Sequence, residues 1–169
     1  GRLGAFRGSW LGPGTNLDHQ SAGESASIPQ LEARLDLTGE AGGVDYSVYT
    51  VGHYDLKDLS GVGPDTLGLG DLAGYAVAGG GTADIGRLAV RGNLYWGRAI
   101  GQQFGQLSQF GDISSWGGWV QTGFRLDSRW SVWGFAGMDD PDDGELLAAL
   151  PDSRRVHNHS TALLLRYKL

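Results

Sequence analysis

The residues best equipped for chemistry gather near the C-terminal end of the chain. His157 and His159 stand two apart, and Asp139, Asp140, Asp142, Asp143 and Glu145 crowd one acidic run. Imidazole nitrogens bind metals well, but a structural or catalytic site needs about four ligands in a defined geometry. The acidic run offers the hard oxygen donors that Ca²⁺ takes, yet the spacing of a helix–loop–helix calcium site is absent. Such residues more often form a solvated rim, so no metal is expected. Covalent catalysis fares no better. The chain has no cysteine, which removes a thiol nucleophile, a disulfide framework and a Cys-based metal site. No Gly-x-Ser-x-Gly turn occurs. Residues 68–73, GLGDLA, imitate a glycine-rich dinucleotide turn, but no strand–helix–strand pattern surrounds them. The expectation is a protein that is not an enzyme, with no catalytic residue and no cofactor.

A second set of charged residues has a regular spacing. In residues 30–38, Leu31, Ala33, Leu35 and Leu37 alternate with Glu32, Arg34, Asp36 and Thr38. In 44–54, Val44, Tyr46, Val48, Thr50 and Tyr54 alternate with Asp45, Ser47, Tyr49, Val51 and His53. In 87–98, Leu88, Val90, Leu94 and Trp96 oppose Arg87, Ala89, Arg91, Asn93 and Tyr95. A period of two is the signature of a β-strand with unlike faces. The longest such stretch is 116–140, a hairpin turning at Asp127-Ser128, with Gln121 and Arg125 on its polar face. The last stretch, 155–169, sets Thr161, Leu163, Leu165, Tyr167 and Leu169 against Ser160, Ala162, Leu164, Arg166 and Lys168.

Two weaker strands, at 2–11 and 71–79, bring the count to about eight, and no helix is expected beyond one short turn at 145–150. Short turns at 39–43, 80–86 and 127–128 alternate with long loops at 12–29, 55–70, 99–115 and 139–154. An up-and-down barrel with its long loops at one end produces that rhythm. Each arm of the 116–140 hairpin is roughly ten residues, the length a transmembrane strand needs. No run approaches the 18 or so apolar residues of a membrane helix, an absence that leaves a barrel open. Thirty glycines suit strands that bend and approach closely. The net charge of −6, with no basic run, argues against nucleic acid.

The runs GRLAVRGNLYWGRAIGQQFGQ, WGGWVQTGFRLDSRWSVWGFAGMDDPDD and RRVHNHSTALLLRYKL together resemble the distal part of Gram-negative outer-membrane porin-like β-barrels. The shared features are a Gly-Trp-rich strand, a turn with Arg129-Trp130, and the acidic Asp139-Asp140-Pro141 loop, over roughly residues 86–169. Members of that family continue past the equivalent of Tyr167 into further strands and commonly end in an aromatic, where this chain has Leu169.

The fold expected is therefore all-β: one domain over residues 1–169, an antiparallel up-and-down transmembrane β-barrel of about eight strands, or part of a larger one. The expected localisation is the bacterial outer membrane. The expected function is passive diffusion of small hydrophilic solutes or ions. Its pore would be lined by Glu32, Arg34, Asp36, Asp45, Arg87, Arg91, Asn93, Gln121, Arg125, Arg166 and Lys168. Partners would be membrane lipid and lipopolysaccharide, small hydrophilic solutes and, for an assembly, further copies of the chain. A closed small barrel acting through its long loops in a structural or adhesive role is the first alternative. A soluble ligand-binding barrel is the second. The loop 99–115, with Phe104 and Phe110, would either fold inward as a constriction or pack on the rim.

Overall fold

A computed structural model describes residues 1–7, 24–60, 70–100, 111–149, 151–152 and 156–168. Eight strands lie in one antiparallel sheet in chain order: β1 (Arg2–Phe6), β2 (Gln30–Ala41), β3 (Val44–Asp58), β4 (Asp71–Ile85), β5 (Leu88–Arg98), β6 (Ser114–Arg125), β7 (Trp130–Pro141) and β8 (Asn158–Tyr167). Among the described residues one helix, α1 (Asp143–Ala149), follows β7. Every strand pairs with its sequence neighbours, and β1 and β8 are the two free edges.

The tight turns share one end of the sheet. Gly42 and Gly43 both take positive φ, at 60° and 77°, and close the β2–β3 hairpin between the paired residues Ala41 and Val44. That is the turn whose backbone twist suits two strands, and it favours glycine over residues with a Cβ. Gly86, at φ 57°, opens the two-residue turn between Ile85 and Leu88. In the β6–β7 turn, the Asp127 carboxylate accepts the N–H groups of Arg129 at 2.7 Å and Trp130 at 2.8 Å. Those bonds hold it below the ordinary carboxylate pKa. The longer connections all leave from the opposite end.

Several strands outrun the boundaries expected from sequence. β3 continues through Asp55, Lys57 and Asp58, expected as loop, because they pair with Gly74, Leu72 and Asp71. β4 runs to Ile85 through residues expected as turn, Gly80 and Gly81 pairing with Asn93 and Gly92. β1 runs from Arg2 to Phe6, and residues 8–11 of the strand expected at 2–11 lie outside the described residues. The expectation for Phe104 and Phe110 lies outside the described residues.

Pairing carries the alternation across the sheet, so each face is a set of rows. One row of the apolar face runs Leu37, Val48, Gly81, Gly92, Val120, Ala136, Thr161. Over this face Asp58, Asp71, Arg98 and Asp140, all at the loop end, are the only formal charges on the described strands. The face is uncovered: Leu35 is 64% exposed, Leu94 67% and Leu163 79%. Aromatic side chains band it at both ends, Tyr54, Tyr75, Trp96 and Trp116 toward the loops and Tyr46, Phe124, Trp130 and Tyr167 toward the turns. Tyr46 and Tyr54 stand roughly 26 Å apart along β3 at the strand rise of about 3.3 Å per residue.

Among the described residues, most of the buried apolar core lies at the loop end. Leu59, Leu72 and Ala99 form a buried cluster, and Ile100, Ile113 and Leu146 are also buried there. α1 joins that core through Leu146, which is 1% exposed. Burying such a leucine is worth about 1.5–3 kcal/mol.

Candidate functional site

The polar face gathers most of the residues that the alternation singled out. Its rows run Glu32, His53, Ala76, Gly97, Ser115; then Arg34, Val51, Ala78, Tyr95, Gly117, Asp139; then Asp36, Tyr49, Gly80, Asn93, Trp119. Nearer the turns come Thr38, Ser47, Thr82, Arg91, Gln121, Phe135, and finally Glu40, Asp45, Asp84, Ala89, Gly123, Trp133. Arg125 and Arg166 both pair with Ser131 at the turn end. Thus Glu32, Arg34, Asp36, Asp45, Arg91, Asn93, Gln121, Arg125 and Arg166 do share one face. Arg87 and Lys168 lie outside the strands. Arg87 sits in the β4–β5 turn and donates to the Leu126 carbonyl at 3.1 Å, and Lys168 follows β8, its N–H donating to Arg129 at 2.9 Å.

Charge is segregated along this face. Carboxylates concentrate on β2 to β4, where Glu40, Asp45 and Asp84 stand directly opposite one another. On β5 to β8 the turn-end half carries Arg91, Arg125 and Arg166 and no acid. Some charges are already spoken for. Arg34 holds Asp36 at 2.7 Å and lies over the Tyr49 ring, 4.1 Å from its centroid. The Tyr49 hydroxyl accepts from Asn93 at 3.0 Å. The Arg125 guanidinium donates to the Gly86 carbonyl.

Glycine makes room for these large side chains. Tyr49 faces Gly80, Tyr95 faces Gly117 and Trp133 faces Gly123 across neighbouring strands. A Cβ would come to 2.7 Å from the Tyr49 hydroxyl at Gly80, 2.6 Å from the Tyr95 hydroxyl at Gly117 and 2.5 Å from the Trp133 ring at Gly123. An aromatic lying over a glycine covers backbone that a bare strand would leave open, a known device for stabilising sheets.

Toward the loop end the face becomes buried. Lys57 is fully buried, Asp55 is 3% exposed and His53 is 6% exposed. The Lys57 ammonium donates to Asp55 Oδ1 at 2.9 Å and to the Ala99 carbonyl at 2.7 Å. His53 stands 3.3 Å from Glu32 through Nδ1 and 3.4 Å from Asp55 through Nε2. Gly74, opposite Asp55, is required here, because a Cβ would strike the Asp55 carboxylate and the Lys57 ammonium. Ala99 takes a positive φ of 53°, which turns the chain out of β5 and aims its carbonyl at Lys57. The sequence carries a trace of this group: His53, Asp55 and Lys57 keep the alternation of β3 past Tyr54. Asp55 and Lys57 read as loop, and the pairing with β4 was the missing information.

The acidic run and the two histidines are dispersed rather than convergent. Asp142 accepts the Glu145 N–H at 2.8 Å as the cap of α1, and Asp139 accepts from the Tyr95 hydroxyl at 2.5 Å. Glu145 accepts from the Ser114 N–H at 2.6 Å and from Arg98 at 2.9 Å, and Arg98 also grips Asp112. The Ser114 bond, with Arg98 adding to it, holds the Glu145 carboxyl below its ordinary pKa. The His157 and His159 rings lie 5.2 Å apart. Among the described residues no group of three or more His, Asp or Glu is placed to hold a metal ion.

Comparison with protein-family models, with curated proteins and with solved structures finds no match to this chain.

Proposed function

We propose that this chain forms the wall of an outer-membrane β-barrel of porin type, its polar face lining a watery passage for small hydrophilic solutes. One observation carries the reading: the two faces are inverted relative to a protein folded in water. The apolar face is exposed and uncharged between the rims, while His53, Asp55 and Lys57 on the polar face are buried. An Arg or Lys on the lipid face near the midplane would cost about 2–4 kcal/mol, whereas in a wet interior charge is tolerated. The aromatic bands add support, since Trp and Tyr favour the two membrane interfaces. The resemblance of residues 86–169 to porin-like barrels points the same way.

The free edges at β1 and β8 bear on the size of the passage. A sheet edge facing hydrocarbon leaves backbone groups without partners, so a spanning sheet must close. Eight strands closed on themselves enclose an interior just wide enough for side chains to fill. That outcome would favour the structural or adhesive reading. Conduction requires further strands between the two edges.

The test runs in two stages. Intact mass, with gels run before and after boiling, reports the size of the folded unit. A species well above 17.9 kDa that shifts on heating is expected of a conducting barrel. In planar bilayers, replacing Arg87 and Arg91 with glutamine should move the reversal potential toward cation selectivity. An unchanged potential removes those residues from the passage.

A further inference from the structure

The geometry points to a binding subsite for a small organic carboxylate with an apolar or aromatic body, built on the polar face by Arg91, Gln121, Trp133, Leu164 and Arg166. The inference deepens the porin reading and rests on it, because it requires the polar face to meet solvent-borne solutes. These residues, with Leu165 and Tyr167 where the cavity reaches round the β8 edge, line one space of about 430 Å³ near the turn end. Pockets for small organic ligands run from about 300 to 1,000 Å³, and they pair an apolar lining with a few placed polar groups.

The charge state of the two arginines selects the ligand. Arg34, Lys57 and Arg98 each hold a carboxylate of this chain. Among the described residues, no carboxylate lies within ion-pair distance of Arg91 or Arg166. In the turn-end half of the same face the acids stand on β2 to β4, while Asp139 of β7 lies toward the loop end and accepts from Tyr95, and Arg91 pairs with Thr82 on one side and Gln121 on the other. The guanidinium fork matches a carboxylate with two parallel N–H bonds, which an ammonium does not do. Gln121 adds an amide beside it.

The apolar side of the cavity is held in place. The Trp133 indole lies over Gly123, where a Cβ would come within 2.5 Å of the ring, and its Nε1 donates to Ser131 at 3.0 Å. Arg91 sits 5.4 Å from the centroid of that ring. Leu164 faces Trp133 directly across β7 and β8. A carboxylate at the arginines thus has an aromatic and an aliphatic wall beside it. Acetate would use the charges alone, and a neutral aromatic would use the walls alone.

The experiment titrates benzoate, acetate, inorganic phosphate and benzyl alcohol into the full protein in detergent by calorimetry, beside bilayer conductance on the same preparation. Benzoate should saturate at least about tenfold more tightly than acetate or phosphate, and benzyl alcohol should not bind. Arg91→Gln should weaken benzoate about tenfold or more, as loss of a charge-assisted hydrogen bond implies. Trp133→Ala should bring benzoate down to the level of acetate, while Trp133→Phe, which keeps a ring over Gly123, should retain a preference. If the alanine variant fails to migrate as a folded species, Leu164→Asn tests the same wall. Equal affinity for benzoate and acetate, or unaltered binding in Arg91→Gln, overturns the subsite. Conductance without saturable benzoate binding also overturns the subsite and leaves the passage standing. Benzoate binding that follows this pattern without conductance supports the subsite and overturns the passage.

Discussion

Lys57 and Asp55 are each expensive to bury, and their mutual pairing, with the Ala99 carbonyl and His53 beside it, offsets the cost. Lys57 is fully buried and donates to both Asp55 and the Ala99 carbonyl. Removing one partner of a buried pair leaves an uncompensated charge and typically costs about 3–5 kcal/mol. Asp55→Asn is therefore expected to lower the temperature at which the folded species is lost on a heat-modifiability gel. Replacing Lys57 with methionine in the same chain should restore much of the loss. A single Asp55→Asn that melts with the wild type would mean the pair is not formed. At this scale the sequence was informative where alternation was strict. Arg34, Asp36, Arg91 and Gln121 fall on the face their spacing assigned. It was uninformative at Gly74, whose need becomes visible only when Asp55 is placed opposite it.

Elements differed in legibility for a related reason. The β6–β7 hairpin reads plainly, because Trp, Val and Phe alternate with polar residues on either side of an Asp-Ser turn. β4 is nearly all small residues, so its facing is ambiguous until its neighbours fix it. Tyr75 then joins Tyr54 on the apolar face, and Ala76 joins His53 on the polar one. The helix was visible as ELLAAL but begins earlier, at Asp143, because Asp142 caps it. α1 is fastened to β6 through Glu145, whose pKa is held below the ordinary glutamate value of 4.5 chiefly by the Ser114 N–H. A depressed carboxyl stabilises the folded form fully above its ordinary value and loses that contribution as pH falls through its folded value. The Ser114 amide is therefore expected to lose hydrogen-exchange protection as pH drops below about 4.5, after correction for intrinsic rates. Glu145→Gln should give weaker protection with that pH step removed. A wild-type profile flat over this range would show that Glu145 does not fasten the helix.

For the whole molecule, the inversion of faces sets the terms on which a charge is accepted. Val120 and Thr82 stand in adjacent rows on opposite faces, Val120 among Gly92 and Ala136 and Thr82 beside Arg91. Val120→Arg is expected to cost about 2–4 kcal/mol if that face meets lipid, and Thr82→Arg far less. The measurement is the yield of folded, heat-modifiable protein in phospholipid vesicles for the two variants. Equal yields would remove the membrane from the account. The sequence supplied the two-sidedness of the strictly alternating strands. It did not say which side would be the more buried, because apolar-in and apolar-out strands have the same period.

Pairing by sequence neighbours alone has a further consequence. Each hairpin behaves like a pair of staves in a cask. Its internal register is set by its own turn and by the stave beside it, so in the barrel proposed above the girth would be additive in hairpins. A stave pair gained or lost at a free edge would alter girth, and hence bore, without moving a residue in the remaining rows. Assembly inherits the same economy, because local closures come cheaply and each completed hairpin presents the template for the next.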